Sequence, residues 1–464
     1  MNAPALPDRS RLAALVARLE AGLLERDTAV RLALLAALAG EHVLLIGPPG
    51  TAKSELARRL HGAFAGARYF ERLLTRFSTP EELFGPLSLK ALEHDRYERL
   101  VDGYLPTASI AFLDEVFKAN SAILNALLTL LNEREFDNGS ARMRTALISV
   151  VGATNEVPAE EALMAFHDRF LVRVPVAGVS DAAFGALLAL GAPSAEPADA
   201  AEPIDAPTLR ALIAAREGVA LPDEVVAALA ALRGRVQAQG ITVSDRRWRQ
   251  LVGLLRSAAL TEGRAQVEPL DLWLVPYVIA AQPAQVAALQ AWFVDEVAMA
   301  APQDAPWLSR AVEAFEKQLE IERSMPAEGA DDSAGKLALA RSIGSAGDGG
   351  MLRIVSSALE DAMRRRWSPV HVAARLAQVD EVMQRAAEPL ALWRERQRAL
   401  QQALDARLWL PPSLAASLLG NLAHNVSVLE GLLDRLAATR AGFAALPVDE
   451  SLPQSAPEPI AVGA

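Results

Sequence analysis

The sequence predicts an α/β core with a parallel sheet, followed by a mostly α-helical second half. Two segments predict the core. An apolar run at residues 43–46 leads through a glycine-rich loop into a helical pattern, and a second apolar run at residues 109–113 ends in two acids. The second half is rich in Ala and Leu, and only 5% of all residues are aromatic, which favours helices over β-sandwiches there.

Length and composition exclude several classes of protein. With 464 residues the chain can form two or three domains, each with its own core. The formal net charge of -11 disfavours a general nucleic-acid binder, because such proteins neutralise phosphates with basic residues. The lack of cysteine excludes disulfides and thiolate metal sites. The chain shows neither a signal peptide nor a membrane-spanning segment, so we expect a cytoplasmic protein.

The glycine-rich loop is the clearest binding motif. It fits the spacing G-x-x-x-x-G-K-[ST] if the first glycine is read at Gly47, with Ala52 at the place of the second. The backbone N–H groups of such a loop, the positive end of the next helix and the ammonium of Lys53 converge on one place, which suits a nucleotide polyphosphate. The predicted phosphate-binding residues are Gly47, Pro48, Pro49, Gly50, Thr51, Ala52, Lys53 and Ser54.

The second motif places two acids at the carboxyl end of a buried strand, where ligands of open α/β sheets bind. We expect Asp114 to hold Mg²⁺ through its water shell, and Glu115 to orient the attacking water or accept its proton. Asn155 follows another apolar strand, predicted at residues 145–152, and would orient the same water. An asparagine that only caps a turn is the alternative.

Three arginines are further candidates. Arg169 precedes a predicted strand at residues 171–176 and is either a solvated surface residue or a group that acts on a neighbouring subunit. Ser244 is a good N-cap, so Arg246 and Arg247 fall in the first turn of a helix, where a cation opposes the helix dipole. This placement suggests a bound anion, although two solvated arginines are the simpler interpretation.

The other patterns predict the connecting elements. Two helices precede the first strand, and the segment 22–26 between them either lines the nucleotide base or packs in the core. A second strand is predicted at residues 72–77. Residues 87–90 and 97–101 either pair as a short hairpin or form a solvated loop, and residues 137–139 form a turn.

These patterns divide the chain into five parts. In order they are a nucleotide-binding core at 1–190, a linker at 191–207, an α-helical lid at 208–280, an extended helical domain at 281–447 with a flexible connection near 325–350, and a disordered tail at 448–464.

Five motifs in the same order give the chain a family resemblance. With GPPGTAKS, AFLDE, GATNE, HDRF and SDRRW the chain resembles the MoxR family of AAA+ ATPases, of the RavA type, over roughly residues 12–280. The resemblance implies an AAA+ αβα core with a helical lid and a C-terminal extended helical domain. In that domain, residues 388–408 and 413–438 are expected to form an antiparallel hairpin.

The resemblance also implies a role for each candidate residue. The implied site comprises the Walker A loop at 47–54, the Walker B acids Asp114 and Glu115, Asn155 as sensor 1, Arg169 as an arginine finger in trans, and Arg246 as sensor 2 with Arg247 as the alternative. Residues 87–105 would be the insert that faces the pore of a hexameric ring.

The function implied is that of an ATP-hydrolysing, magnesium-dependent homohexameric chaperone. It would remodel an unidentified protein client, together with a protein that contains a von Willebrand factor A (VWA) domain. A lysine decarboxylase partner is not expected, because residues 325–350 lack the β-rich insert that binds it in RavA-type proteins. A DNA-dependent motor is disfavoured by the acidic charge. A scaffold whose assembly is controlled by nucleotide is disfavoured by the complete set of catalytic residues.

Overall fold

The fold is taken from a computed structural model of the chain. It describes residues 6–139, 141–158, 160–190, 202–326 and 365–461. The chain divides into two compact units. The first comprises Met1–Ala300 with Ala403–Leu418, and the second comprises Ala301–Gln402 with Leu419–Ala464.

A five-stranded parallel sheet forms the centre of the first unit. The strands of the chain are β1 (Val43–Ile46), β2 (Tyr69–Leu73), β3 (Ile110–Asp114), β4 (Glu135–Asn138), β5 (Ala141–Arg144), β6 (Ser149–Thr154) and β7 (Val172–Pro175). The sheet has the order β2-β3-β6-β1-β7, while β4 and β5 form a separate pair. All neighbouring strands of the sheet are parallel. The predicted α/β core is therefore confirmed.

Helices cover the sheet and continue into the lid. The helices of the first unit are α1 (Arg9–Glu20), α2 (Asp27–Ala39), α3 (Lys53–His61), α4 (Pro80–Phe84), α5 (Leu89–Leu92), α6 (Ser121–Glu133), α7 (Glu161–His167), α8 (Asp181–Ala189), α9 (Ala206–Ala215), α10 (Asp223–Ala238), α11 (Asp245–Thr261), α12 (Val275–Ile279) and α13 (Pro283–Trp292). The apolar face of α6 belongs to the same buried cluster as Leu44 and Ile46 of β1 and Ala111 and Leu113 of β3. β1 is buried along its whole length, and β3 is buried up to Asp114.

The second strand is shorter and earlier than predicted. It ends at Leu73 because the next residues form a turn, in which Thr75 N–H donates to Ser78 Oγ at 3.1 Å. The last predicted strand, residues 171–176, forms as β7 and is one residue shorter at each end.

The segment after α6 forms an antiparallel hairpin, β4 with β5, where only a turn was predicted. At its base Thr145 N–H donates to the carbonyl of Arg134 at 2.8 Å, outside the parallel sheet. The strand predicted at residues 145–152 therefore begins only at Ser149. Alternating charged residues in the hairpin hid it from the sequence pattern, because neither of its faces is continuously apolar.

Of the two alternatives for the insert at residues 87–105, the short hairpin forms in part, since Ser88 N–H donates to the carbonyl of Glu98 at 2.8 Å and Leu100 N–H to that of Pro86 at 2.8 Å. Residues Leu89–Leu92 form the short helix α5, and one isolated antiparallel bridge joins Leu87 to Arg99. The insert is held by the β4–β5 turn, since Asn138 Oδ1 accepts from Arg99 N–H at 2.6 Å and Asn138 Nδ2 donates to Arg99 O at 3.1 Å.

The first unit extends past residue 280, the predicted end of the lid. Of the predicted linker, residues 191–201 lie outside the described part, and Ile204 already pairs with Phe64 of the core before α9 starts at Ala206. Residues through Ala300, including α13, belong to the first unit, so the extended domain does not begin at residue 281. The predicted N-cap of α11 is confirmed, because Ser244 Oγ accepts from Arg247 N–H at 3.3 Å.

The second unit is helical. Its helices are α14 (Pro306–Ser324), α15 (Pro369–Asp405) and α16 (Pro412–Ala444), of which α15 and α16 run into the first unit at their shared end. Val379, Leu436 and Phe443 are fully buried in its apolar core. The segment near 325–350, for which a flexible connection without a β-rich insert was predicted, lies outside the described residues from 327 onward.

The C-terminal tail was predicted to be disordered, and this prediction is wrong through residue 461. Val448 pairs with Trp367, and Arg375 donates to the carbonyl of Glu458 at 2.8 Å. Ile460 packs against the apolar core. Arg375 is fixed for this contact because its Nε also donates to the buried carboxylate of Glu322 at 2.9 Å.

The connection between α15 and α16 is anchored in the lid. Trp409 is 1% exposed, and its indole N–H donates to Thr261 Oγ1 at 2.7 Å. The N–H of Leu408 donates to the carboxylate of Glu262 at 2.6 Å. These buried polar contacts explain why residues 403–418 belong to the first unit and not to the predicted C-terminal domain. Among the described helices, none is both long and apolar enough to cross a membrane.

Candidate nucleotide site

The glycine-rich loop turns sharply between β1 and α3. A Cβ atom at Gly47 would lie 1.9 Å from the carbonyl oxygen of Val176, so this position excludes any side chain. Gly50 has φ +79°, a left-handed conformation that favours glycine. Ala52 is also left-handed, with φ 63°, and is the N-cap residue of α3. The loop therefore has the strand, turn and helix context that the motif requires.

Lys53 is buried inside this loop. It is 7% exposed, and its Nζ donates to the carbonyls of Gly47 at 2.6 Å and Pro48 at 2.8 Å. Burial lowers the pKa of Lys53, while the negative charges of Asp114 and Glu115 oppose that shift. The ammonium is thus aimed at the concave side of the loop, where a phosphate would supply better acceptors than the two carbonyls.

The two acids and Asn155 meet at the carboxyl edge of the sheet. β3 and β6 are neighbours, so the residues that follow them lie side by side. Asn155 Nδ2 donates to Glu115 Oε1 at 2.7 Å, and Lys118 Nζ lies 3.3 Å from Glu115 Oε2. Glu115 has φ 51°, an uncommon conformation for a residue with a side chain.

The donor set at this edge fits magnesium bound with a nucleotide. Among the described residues there is no group of three acidic or histidine side chains that could hold a metal by itself. Mg²⁺ needs only one or two protein ligands when phosphates and waters complete its shell. One carboxylate oxygen of Asp114 accepts the N–H of Glu115 at 3.0 Å, which fixes the orientation of the carboxylate.

A cavity of about 300 Å³ adjoins the loop on the β7 side. Its wall includes Arg26, as well as Glu25 and Val176. Arg26 is 7% exposed, and its Nε donates to the carbonyl of Thr51 at 3.0 Å while Nη2 donates to that of Ala177 at 2.8 Å. Arg26 therefore joins the wall of the cavity to the glycine-rich loop. Of the segment 22–26, Glu25 and Arg26 contribute to this wall.

Arg169 lies at the opposite edge of the sheet. It precedes β7, whose first residue, Val172, pairs with Val43 at the start of β1. The glycine-rich loop follows the other end of β1. Arg169 Nε is buried and has no hydrogen-bond partner among the described residues. Within this chain, Arg169 is thus remote from the loop.

Arg247 does not have the predicted position at the nucleotide. It is 3% exposed, and its five N–H groups are used by the carbonyls of Val278, Asp168, Phe170 and Leu171 and by the carboxylate of Asp168. No donor is left for a phosphate, so the assignment of Arg247 to nucleotide binding is corrected. Its role is to hold the lid helix α11 against the segment before β7.

Arg246, the neighbouring residue, is exposed on the same helix. Its Nη2 donates to Asn132 Oδ1 at 3.2 Å, at the end of α6. Its charge also acts on Glu41, which lies just before β1. Both neighbours belong to the amino edge of the sheet. Arg246 therefore does not reach the glycine-rich loop of this chain.

Four further residues lie around the site that the sequence did not predict: Lys118, Thr28, Tyr277 and Gln290. Lys118 contacts Glu115, and the other three line the cavity. Tyr277 and Gln290 come from the lid, more than 200 positions from the loop in the chain. No local sequence motif predicts a contact between residues so far apart in the chain. For Lys118, a basic residue one helical turn after the acids was the available signal.

Two family profiles match the chain. One is described as the MoxR domain in the MoxR-vWA-beta-propeller ternary systems and matches residues 10–214. The other is described as an AAA lid domain and matches residues 224–293. The two matches cover the sheet, the glycine-rich loop and the lid.

Known proteins also resemble this chain. Two uncharacterized proteins of Methanocaldococcus jannaschii are 41% and 39% identical over 257 and 261 residues. The matches cover 55% and 56% of this chain, and 66% and 69% of those relatives, or about two thirds of their length. A solved structure from Cytophaga hutchinsonii, whose description proposes an ATPase, is 15% identical with a TM-score of 0.48, covering 59% of this chain and 87% of that one.

Proposed function

This chain belongs to the MoxR family of AAA+ ATPases, and from that premise we propose that it hydrolyses ATP as part of a hexameric chaperone. The observation that carries the proposal is the contact of 2.7 Å between Asn155 and Glu115, at the sheet edge that also bears Lys53 and Asp114. An acid that is held by a neutral amide can accept a proton from water or orient it.

Each residue of the site has a separate task in this proposal. Lys53 and the backbone of residues 47–54 bind the β- and γ-phosphates. Ser54 and Asp114 would hold Mg²⁺, which when bound neutralises charge on the phosphates. Glu115 orients the attacking water and accepts its proton, and Asn155 fixes the carboxylate in the position that this requires.

Two arginines favour assembly into a ring. Arg169 and Arg246 lie at the amino edge of the sheet, away from the loop of their own subunit. If they contact nucleotide, they must do so in a neighbouring subunit. An arginine supplied in trans raises the rate by about 10³–10⁵, so we expect activity only in the assembled hexamer.

The partner we propose is a protein with a VWA domain. The support is the family profile, whose description places such MoxR domains in ternary systems with a vWA protein and a β-propeller. The chain would use ATP to remodel or mature a protein that this partner presents. The RavA-like subtype also remains a proposal, resting on the motifs in the sequence.

The proposed function is tested with Glu115→Gln and Lys53→Ala in parallel. Glu115→Gln should bind ATP with unchanged affinity and release phosphate at least about 10²-fold more slowly, because the proton acceptor is lost. Lys53→Ala should lose ATP binding. Normal turnover by Glu115→Gln would contradict the assigned role. The same Glu115→Gln protein, loaded with ATP, is then used to capture partners, and a VWA protein should be enriched compared with Lys53→Ala.

Assembly is tested by mixing two inactive variants. Lys53→Ala subunits cannot bind ATP, and Arg169→Ala subunits lack the proposed finger. Mixed rings contain interfaces at which an intact Lys53 faces an intact Arg169, so part of the activity should return. If mixed rings form and stay inactive, Arg169 does not act in trans.

A further inference from the structure

The cavity beside the glycine-rich loop carries two polar side chains from the lid. Tyr277 of α12 is 6% exposed, and Gln290 of α13 is half-buried. Gln290 Nε2 donates to the hydroxyl of Tyr277 at 2.8 Å. Thr28 of the core lines the same cavity as Tyr277. Burial raises the pKa of Tyr277 to about 12, so the phenol stays neutral. The side chain of Gln290 is thus oriented through Tyr277.

The remaining atoms of the Gln290 amide have no hydrogen bond to another described residue. They are the carbonyl oxygen Oε1 and the second N–H of Nε2. Both belong to a residue that lines the cavity. An acceptor and a donor side by side complement an adenine edge, where the exocyclic amine donates and a ring nitrogen accepts. On the same edge, guanine presents the reverse order, because its carbonyl oxygen accepts and its ring N–H donates.

The rest of the cavity fits a flat apolar ring. Val176 and Val286 are buried and contribute apolar surface to the wall. The volume of about 300 Å³ lies at the lower end of the range for small-molecule sites. Arg26 links the cavity to the carbonyl of Thr51 in the loop that would hold the phosphates. A nucleotide bound there would therefore place its base in this cavity.

We propose that Gln290, oriented by Tyr277, reads the base and makes the site select adenine over guanine. The inference rests on the proposed binding of ATP, and it adds a specificity residue that no motif in the chain marks. Because Gln290 belongs to the lid and Thr28 to the core, the bound base also joins these two parts of the first unit.

The test measures affinities for ATP, GTP and purine riboside triphosphate by competition against a fluorescent ATP analogue. Purine riboside triphosphate lacks the exocyclic amine of adenine. The unchanged protein should bind ATP about tenfold more tightly than either competitor, as expected for one lost hydrogen bond that leaves Gln290 unpaired. Gln290→Leu should bind all three with similar affinity, because the leucine offers neither donor nor acceptor.

Two further variants separate specificity from damage to the fold. Tyr277→Phe keeps the ring and loses the hydroxyl that orients Gln290, so the preference for ATP should fall by a smaller factor. Ala288→Leu changes an exposed residue of the same helix and should leave all three affinities unchanged.

Failure of this inference is distinguishable from failure of the proposed function. If the unchanged protein binds none of the three nucleotides, the proposed ATPase function fails. If it binds and hydrolyses ATP but does not discriminate against purine riboside triphosphate, only the inference is overturned. The inference is also overturned if Gln290→Leu retains the original ratio of affinities. The comparison in the unchanged protein does not depend on the folding of any variant.

Discussion

The side-chain amide of Asn155 donates a hydrogen bond of 2.7 Å to one carboxylate oxygen of Glu115. The two residues follow adjacent strands, β6 and β3, of a parallel sheet. Glu115 holds a left-handed backbone conformation, which turns its side chain to the same edge of the sheet. The contact thus depends on strand order as much as on either residue.

Replacing Asn155 should slow hydrolysis more than it weakens binding. Asn155→Ala removes the group that orients Glu115 and leaves Lys53 and the loop unchanged. We expect phosphate release to fall about 10²-fold, with ATP affinity changed less than twofold. Single-turnover and equilibrium binding measurements separate the two effects. Glu156→Gln, at the exposed next position, is the control and should retain activity. Equal losses of binding and turnover would contradict the assigned role.

The same substitution should lower the stability of the protein strongly at Arg247 and hardly at all at the adjacent Arg246. Arg247→Met leaves the carbonyls of Val278, Phe170 and Leu171 without this donor and leaves Asp168 with Arg173 alone, which should lower the free energy of unfolding by about 3–5 kcal/mol. Arg246→Met removes an exposed contact and should change it by less than about 0.5 kcal/mol. Urea denaturation of both variants gives the comparison. Similar stabilities would show that the buried network around Arg247 contributes little.

Lowering the pH should destabilise the first unit, because the buried imidazole of His42 binds a proton less readily than it does in the unfolded chain. The imidazole is buried, Nδ1 accepts from Val150 N–H at 2.9 Å, and burial holds the pKa of His42 well below its usual value. The folded state therefore binds fewer protons than the unfolded state. The free energy of unfolding should be independent of this group above about pH 6.5 and fall below that pH, by at most about 1.4 kcal/mol per pH unit.

The measurement is urea denaturation between pH 7.5 and pH 5. His42→Gln cannot be protonated, so its stability should fall less steeply in this range. His167 contributes in the same direction, because burial lowers the pKa of His167 to about 3. His94→Gln, at an exposed position, serves as the control. An unchanged slope in His42→Gln would overturn the assignment.

Gly139 should be needed to hold the insert at residues 87–105. It has φ +70°, and a Cβ atom there would lie 1.6 Å from the carbonyl oxygen of Tyr97. Gly66 has φ +65° with open space around its Cβ position. Gly66→Ala should cost about 1 kcal/mol of stability for the left-handed backbone alone.

Gly139→Ala should cost about 1–3 kcal/mol more, because the insert must move away from the turn. Hydrogen exchange at residues 97–100 should become faster in this variant and not in Gly66→Ala. Equal effects of the two substitutions would mean that only backbone conformation matters at Gly139.

Much of the site could be predicted from sequence because its residues follow strands directly. The loop at residues 47–54 and the acids after β3 are local patterns with a fixed order of strand, turn and helix. The position of Asn155 follows from the rule that the carboxyl ends of parallel strands share one edge. The first and last residues of the strands were predicted less accurately. Whether Thr145 extends a strand or closes a hairpin depends on a carbonyl eleven residues away.

The sequence by itself determined the sheet, the glycine-rich loop and the acidic strand end, because each is specified by neighbours in the chain. Only the tertiary structure decided which of Arg246 and Arg247 is buried and which is exposed. The two residues lie about 100° apart around one helix, and which of them is buried depends on the elements packed against it. The cavity of Arg26, Tyr277 and Gln290 likewise exists only after the lid has folded against the core. Its walls come from segments separated by some 250 residues, a distance over which no local pattern carries information.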